Sequence, residues 1–114
     1  MDRKKELKWQ YKQMKPEMGI FAIYSRQSNK CYLEVTTDLK SAMNGAKFKL
    51  GAGLHPNREL QKEWCDYGES NFTMEILEIL GYDKDESKTD YSDELKLLEM
   101  VWQEKMAHCD FYVK

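Results

Sequence analysis

The spacing of apolar residues along the chain predicts alternating helices and strands. At the N-terminus, apolar side chains recur at helical intervals among lysines, and Pro16 ends this pattern. Residues 1–16 are therefore predicted to form an amphipathic helix. A hairpin is predicted to follow, because β-branched and aromatic residues over 19–24 and 31–36 favour strands, and the polar residues 26–30 between them favour a turn.

Two further helices are predicted after the hairpin. Asp38 can accept a hydrogen bond from the first turn of a helix, and Gly51 suits the position just past its end. A second, shorter helix is predicted to begin at Pro56 or Asn57, since proline is favoured in the first helical turn. This helix closes near Gly68.

A third strand and a final helix complete the predicted elements. Apolar and polar residues alternate from Phe72 to Ile76, which is typical of a strand with one buried face. After an acidic loop, the carboxylates within 90–94 stand at the favourable N-terminus of a helix with an apolar stripe. The sequence thus predicts an α+β fold with a three-stranded antiparallel sheet flanked by helices, in one domain over residues 1–114.

Composition excludes several classes of protein. The 114 residues carry a net charge of −2, with no apolar run near the ~20 residues that span a bilayer and no apolar segment typical of a signal peptide. We therefore expect a soluble, cytoplasmic protein that does not contact membranes. The three cysteines, Cys31, Cys65 and Cys109, include no C-x-x-C pair and are interpreted as small buried hydrophobic residues.

The two halves of the chain carry opposite charge. Residues 1–64 hold 13 Lys or Arg against 7 Asp or Glu, whereas residues 65–114 hold 5 against 13. Such asymmetry can mark a basic face for DNA or RNA, because phosphate contacts dominate nonspecific affinity. It can equally mean that the halves neutralise each other in the fold. The candidate nucleic-acid-binding residues are Lys40, Lys47, Lys49 and Arg58.

Two short motifs on the predicted hairpin carry the strongest functional signal. The motif Gly-Ile-Phe at 19–21 is followed, after ten residues, by Tyr-Leu-Glu at 32–34. Together with the segment 34–46 and the later helical segment 98–102, these motifs resemble the GIY-YIG nuclease family, in particular its small bacterial members. The resemblance extends over residues 17–106. In that family, two tyrosine hydroxyls stand beside one metal ion and one scissile phosphate.

The resemblance implies which parts of a nuclease site are kept and which are replaced. Tyr32 keeps the tyrosine of the second motif, and Glu99 stands where the family has its metal-binding glutamate. Both are therefore candidate catalytic residues, and Glu99 is the candidate metal ligand. Four family positions have changed: the first-motif tyrosine is Phe21, the second-motif glycine is Glu34, the catalytic arginine is Ala42, and a histidine or tyrosine is Ala46.

These replacements predict a degenerate site. Losing a general base commonly costs ~10²–10⁴-fold in rate, and losing one electrostatic stabiliser costs ~10²–10³-fold. Residues two apart on a strand share a face, so Tyr32 and Glu34 should point the same way. Together with helix periodicity, the match to the family's spacing implies that Tyr32, Glu34, Ala42 and Glu99 converge in one shallow cleft, with Phe21 at its edge. A carboxylate at position 34 would bring negative charge toward a phosphate.

Three functions remain open at this point. The first is a nuclease-fold module that binds nucleic acid or protein without efficient cleavage, and for which no cofactor is expected. The second is an endonuclease that hydrolyses DNA phosphodiesters with Mg²⁺ or Mn²⁺ through Tyr32 and Glu99. The third is a regulatory module that binds protein only, which fits Glu34 and the acidic second half. The sequence predicts neither the oligomeric state nor the identity of a partner.

Overall fold

The computed structural model describes residues 16–85 and 87–112, so the predicted N-terminal helix lies outside the described residues apart from Pro16. The described elements are β1 (Met18–Ser25), β2 (Lys30–Thr36), α1 (Leu39–Ala52), α2 (Arg58–Tyr67), a 3₁₀ turn (Glu69–Asn71), β3 (Phe72–Leu80), α3 (Ser92–Lys105) and β4 (Asp110–Phe111). In these ranges, no helix has both the length and the apolar character needed to cross a membrane.

One sheet, with the strand order β3-β1-β2-β4, forms the centre of the fold. The strand β1 pairs with β2 and β3 in antiparallel orientation, which confirms the predicted hairpin and α+β class. The prediction of three strands is wrong, because Asp110 and Phe111 pair with β2 in parallel as a fourth strand. Two residues are too short to show the period-2 pattern on which strand prediction depends.

Helices cover both faces of the sheet, and each face contributes a separate apolar core. We call the face that packs against α1 and α2 the α1 face, and the face that packs against α3 the α3 face. The core on the α1 face contains Phe21, Ile23, Leu39, Ala46, Leu50, Leu60 and Tyr112. The core on the α3 face contains Ile20, Ala22, Cys31, Leu33, Leu98 and Met106. Because both faces are covered, the central strand β1 is apolar along almost its whole length.

The helix caps follow local chemistry. The Asp38 carboxylate accepts a hydrogen bond from the Ser41 backbone N–H at 3.1 Å, as predicted, and the Asn57 side chain accepts one from the Leu60 N–H at 3.0 Å. The predicted end of α1 at Gly51 is wrong, because the helix continues to Ala52. Gly53 ends it with a left-handed φ of 77°, a conformation that glycine adopts without steric cost.

The glycine of the first motif is required by the packing of the sheet. The pairing of β1 with β3 shifts register between Ile20 and Phe21, and Gly19 lies beside this bulge. A Cβ atom at Gly19 would lie 2.1 Å from the carbonyl oxygen of Glu78, which is closer than side-chain atoms can approach. This position therefore requires glycine for close contact between the strands.

Candidate functional site

Tyr32 and Glu34 form the centre of the candidate site on the α1 face. The two residues lie two positions apart on β2, so their side chains project from the same face of the sheet. The Tyr32 hydroxyl donates a hydrogen bond to Oε1 of Glu34 at 3.0 Å. The carboxylate that replaces the family's glycine is thus bound directly to the tyrosine that the second motif retains.

The environment of Tyr32 holds its hydroxyl in the protonated form. Burial raises the pKa of Tyr32 well above its ordinary value, and the charge and hydrogen bond of Glu34 raise it further. The charge of Glu99 raises the pKa of Tyr32 as well, so the Glu99 carboxylate lies within electrostatic reach of the hydroxyl. At neutral pH, Tyr32 is therefore a hydrogen-bond donor and carries no negative charge.

A cavity of about 320 Å³ opens beside Glu34, between β2, one side of α1 and the segment that follows α1. We call it the Glu34 cleft. Two of the changed family positions, Ala42 and Ala46, form part of its wall, and each ends in a methyl group that offers no charge. The lining residues are Glu34, Thr36, Asp38, Ser41, Ala42, Gly45, Ala46, Lys49, His55 and Pro56.

His55 also lines the cleft, although neither motif indicates it. Its ring packs edge-on against the Tyr32 ring with centroids 5.3 Å apart, and Nδ1 accepts a hydrogen bond from the Asn57 backbone N–H at 3.0 Å. Burial and then the charge of Lys49 lower the pKa of His55 below its ordinary value, with the Asn57 contact opposing them. His55 is thus neutral near pH 7, with its ring proton on Nε2.

Phe21 occupies a different place from the one predicted. It was expected at the edge of the cleft, but its side chain is 0% exposed and belongs to the core of the α1 face. Phe21 pairs opposite Glu34 across the hairpin, but it is not among the residues that line the cleft. A ring without a hydroxyl suits this position, because a buried hydroxyl needs a hydrogen-bond partner.

Glu99 lies on α3, on the opposite side of the sheet from the core against which Tyr32 packs. The preceding residue, Leu98, packs in the core of the α3 face, and consecutive residues on a helix are turned by about 100°. The Gln103 side-chain amide donates a hydrogen bond to Oε1 of Glu99 at 3.3 Å. Glu99 is not among the residues that line the Glu34 cleft.

The site therefore contains oxygen donors of the kind that Mg²⁺ and Mn²⁺ prefer. Magnesium is usually held by one or two protein carboxylates, with water and substrate phosphates completing its coordination. Glu34 and Glu99 are the carboxylates that would supply these oxygens, and the charge of each raises the pKa of Tyr32. In the described part of the chain, no group of three or more His, Cys, Asp or Glu residues could hold a metal ion.

The four basic residues predicted to bind nucleic acid do not meet at the cleft. All four side chains are exposed, but only Lys49 lines the Glu34 cleft. Lys40 and Lys47 lie seven residues apart on one flank of α1, where each lines a cavity of about 710–720 Å³ on the side of β3. Arg58 begins α2. Their role in nucleic-acid binding stays a prediction.

The order of elements, the hairpin motifs and the site on β2 define a nuclease fold of the GIY-YIG type. Among solved structures, the chain is similar to the catalytic domain of the homing endonuclease I-TevI, with a TM-score of 0.63 and 26% identity over 77% of this chain and 86% of that domain. A glutamate-to-alanine mutant of the same catalytic domain matches with a TM-score of 0.62 and 24% identity, over 78% and 82% of the two chains. No protein-family model and no curated protein matches this chain.

These similarities confirm the GIY-YIG-like fold that the two motifs predicted. They cover most of both chains, so the likeness extends beyond the hairpin to the helices around it. The roles of Tyr32 and Glu99 in catalysis and of Glu99 in metal binding stay predictions.

Proposed function

We propose that this chain is a nuclease-fold domain that binds a partner at the Glu34 cleft without efficient phosphodiester cleavage. The hydrogen bond from Tyr32 to Glu34 at 3.0 Å is the observation that carries the proposal. This bond ties the hydroxyl of the retained Tyr32 to the carboxylate of Glu34, which stands where the family has a glycine. In addition, Phe21 is fully buried and Ala42 offers no charge to a developing phosphorane.

The charge of the cleft favours a basic group over a phosphate. Glu34 and Asp38 line the cleft, and Lys49 is the lining residue of opposite sign. The negative charge of Glu99 acts on the Tyr32 hydroxyl, which is hydrogen-bonded to Glu34. A phosphate would meet like charge here, whereas a lysine or arginine side chain of a protein partner would meet complementary charge. A protein that presents such a basic side chain is therefore the partner that we propose for the cleft.

A nucleic acid is a second candidate partner, at a different surface. Lys40 and Lys47 are exposed on the flank of α1 that faces β3, away from the acidic cleft. Lysines in such a position could neutralise successive phosphates without bringing DNA or RNA to Tyr32. This binding would be weak and would depend strongly on salt.

A titration monitored by NMR distinguishes the two surfaces. We expect a short lysine-rich peptide to shift the amide signals of Tyr32, Glu34 and His55. A single-stranded oligodeoxynucleotide should instead shift those of Lys40 and Lys47. Replacing the cleft carboxylate in Glu34→Gln should weaken peptide binding and leave oligonucleotide binding unchanged. Peptide binding that is insensitive to Glu34→Gln, or oligonucleotide shifts centred on Tyr32, would contradict the assignment of partners.

Metal-dependent endonuclease activity is the alternative, favoured by the electrostatic reach of Glu99 to Tyr32. A cleavage assay on plasmid and single-stranded DNA with Mg²⁺ or Mn²⁺ decides between the two. We expect the unmodified protein to cut no faster than Glu99→Gln. The exposed Glu104→Gln on the same helix serves as the matched control. Robust cutting that Glu99→Gln abolishes and Glu104→Gln retains would establish the endonuclease and overturn the proposal.

Restoring the family residues tests whether the scaffold still holds the geometry of a nuclease site although catalytic residues have been replaced. The variant Phe21→Tyr, Glu34→Gly, Ala42→Arg and Ala46→His should gain activity on the order of 10²-fold over background, because it returns both a hydroxyl and a stabilising cation. Ala42→Arg alone should gain little, since residues that act as a unit are not additive. Circular dichroism must show that the fourfold variant is folded, because Phe21 and Ala46 are buried.

A further inference from the structure

Two of the three cysteines meet on the α3 face of the sheet. Cys31 lies on β2 and is fully buried in the core of that face. Cys109 lies one residue before β4 and packs against the same core. The two residues therefore share one core, although 78 positions separate them in the chain. Both were predicted to be small buried hydrophobic residues, and their spacing along the chain does not show that they are neighbours.

The pairing of β4 with β2 explains this contact. Cys31 lies opposite Phe111 in the parallel pair, and Tyr112 donates its backbone N–H to the Cys31 carbonyl at 3.2 Å. These contacts hold the chain end beside β2 and bring Cys109, two residues before Phe111, close to the Cys31 side chain. Cys109 is only partly buried, so an oxidant in solution can reach one thiol of the pair.

We propose that Cys31 and Cys109 form a redox modification site, which a low-molecular-weight disulfide such as oxidised glutathione converts to an intramolecular disulfide. This site is independent of the partner proposed for the Glu34 cleft. Its consequence is structural, because Cys31 directly precedes Tyr32, and Cys109 lies four residues past the end of α3, which carries Glu99. The new bond would tie the strand of Tyr32 to the helix of Glu99.

The reaction balances in two exchange steps. The Cys109 thiolate attacks one sulfur of oxidised glutathione and forms a mixed disulfide, releasing one glutathione thiolate. The Cys31 thiol then loses its proton to solvent and attacks the Cys109 sulfur, which forms the protein disulfide and releases the second glutathione. Two protein thiols are thus oxidised, and one glutathione disulfide is reduced to two thiols.

The second step should be slower than the first. Burial raises the pKa of the Cys31 thiol to about 12, with the charges and hydrogen bond of its neighbours adding to the effect. Little Cys31 thiolate is therefore present near neutral pH, and the thiolate is the attacking species. The mixed disulfide at Cys109 should appear early and then decay into the intramolecular bond.

The test uses the full chain with Cys65→Ser, which removes the exposed third thiol on α2. After incubation with oxidised glutathione, intact mass spectrometry should show the loss of two hydrogen atoms with no remaining adduct. Peptide mapping should find Cys31 joined to Cys109, and dithiothreitol should reverse the change. Because the bond closes a long loop, the melting temperature should rise by about 5 °C or more.

Two variants in the same background complete the experiment. Cys31→Ala should retain a glutathione adduct at Cys109, because the thiol that displaces it is gone. Cys109→Ala should stay reduced, because the remaining thiol is buried. If Cys31→Ala fails to fold, Cys109→Ala alone gives the comparison. The proposal is overturned if the parent protein remains reduced, keeps a stable adduct at Cys109, or forms disulfides only between molecules.

Discussion

At the scale of single residues, the chemistry of the site depends on which group each side chain touches. Glu34 changes the hydrogen bonding of Tyr32, because the tyrosine hydroxyl donates to a carboxylate that the family motif does not contain. The motif alone identifies both residues and their common face. The motif does not show that the pKa of the Tyr32 hydroxyl is raised. That shift follows from the burial of Tyr32 and from the charges around it.

His55 gives a prediction about stability and pH at this scale. Its pKa is lowered from an ordinary value of 6.5, mainly because burial disfavours the charged ring. As the pH falls, the unfolded chain therefore binds a proton at His55 before the folded protein does. The contribution of His55 to stability is present above pH 6.5 and is lost as the pH falls through the lowered folded-state pKa.

We expect His55→Asn to lose less stability than the parent between about pH 7 and about pH 5. Asparagine retains an oxygen that can accept the Asn57 N–H but does not titrate in this range. Urea denaturation at each pH measures the difference, and His108→Gln, at the exposed second histidine, is the matched control. An identical pH dependence in His55→Asn and the parent would contradict the prediction.

At the scale of elements, most predicted helices and strands are present because their signals are local. The period-2 and helical patterns, with Asp38 as a cap and Pro56 or Asn57 as the start of α2, predicted the hairpin, the three described helices and β3. The observed ends of the elements differ from the predicted ones where contacts between distant residues determine them. Alternation was recognised only as far as Ile76, whereas β3 continues to Leu80 through the bulge beside Gly19.

Gly19→Ala tests the requirement for close packing between β1 and β3. The added methyl group would lie 2.1 Å from the Glu78 carbonyl oxygen, so the strands must separate. We expect a destabilisation of ~1–3 kcal/mol, as for other overpacked positions. Urea denaturation followed by circular dichroism measures it.

Gly45→Ala is the matched control for this prediction. Gly45 lies within α1, and a Cβ atom there would meet no other atom within 4 Å. Alanine is the better helix former, so this variant should be more stable by ~0.5–1 kcal/mol. Equal stability changes in the two variants would show that the close approach at Gly19 does not control the strand pairing.

At the scale of the whole molecule, charge is distributed over separate surfaces. The exposed lysines of α1 divide between its two flanks, and only Lys49 shares the cleft with Glu34. Charge totals for the two halves of the sequence could not show this, because residues of one helix turn toward different neighbours. Whether the basic half of the sequence forms a basic face or is neutralised by the acidic half thus depends on where each charged side chain lies.

The salt dependence of nucleic-acid binding belongs to this scale. If Lys40 and Lys47 contact phosphates, affinity for a labelled single-stranded oligonucleotide should fall steeply between about 50 and about 200 mM salt. Lys40→Ala and Lys47→Ala should each weaken binding and reduce the slope of log affinity against log salt by about one. Fluorescence anisotropy measures both quantities.

Lys84→Ala is the control for the salt experiment, because Lys84 lies in the acidic loop between β3 and α3. It should change neither the affinity nor the slope. Binding that is equally strong at both salt concentrations would exclude phosphate contacts as its source. If only Lys49→Ala weakens the affinity for the oligonucleotide, the binding surface is the Glu34 cleft and not the flank with Lys40 and Lys47.

The sequence by itself determined the features that depend on neighbours along the chain. Strand and helix periods and the Asp38 cap are local, and they sufficed to predict most of the elements. The resemblance of the two motifs to the GIY-YIG family then predicted the GIY-YIG-like fold. Tyr32 and Glu34 were placed on one face for the same reason, because alternate strand residues share a side.

Tertiary structure decided the features that need residues distant in the chain. It buried Phe21 in the core of the α1 face, set His55 against the Tyr32 ring, and brought Glu99 within electrostatic reach of that hydroxyl. It also brought Cys109 to the core that contains Cys31, beside β4, a strand too short to have a period of its own. Such contacts depend on how separate elements pack, and pattern along the chain carries no information about which elements become neighbours across a core.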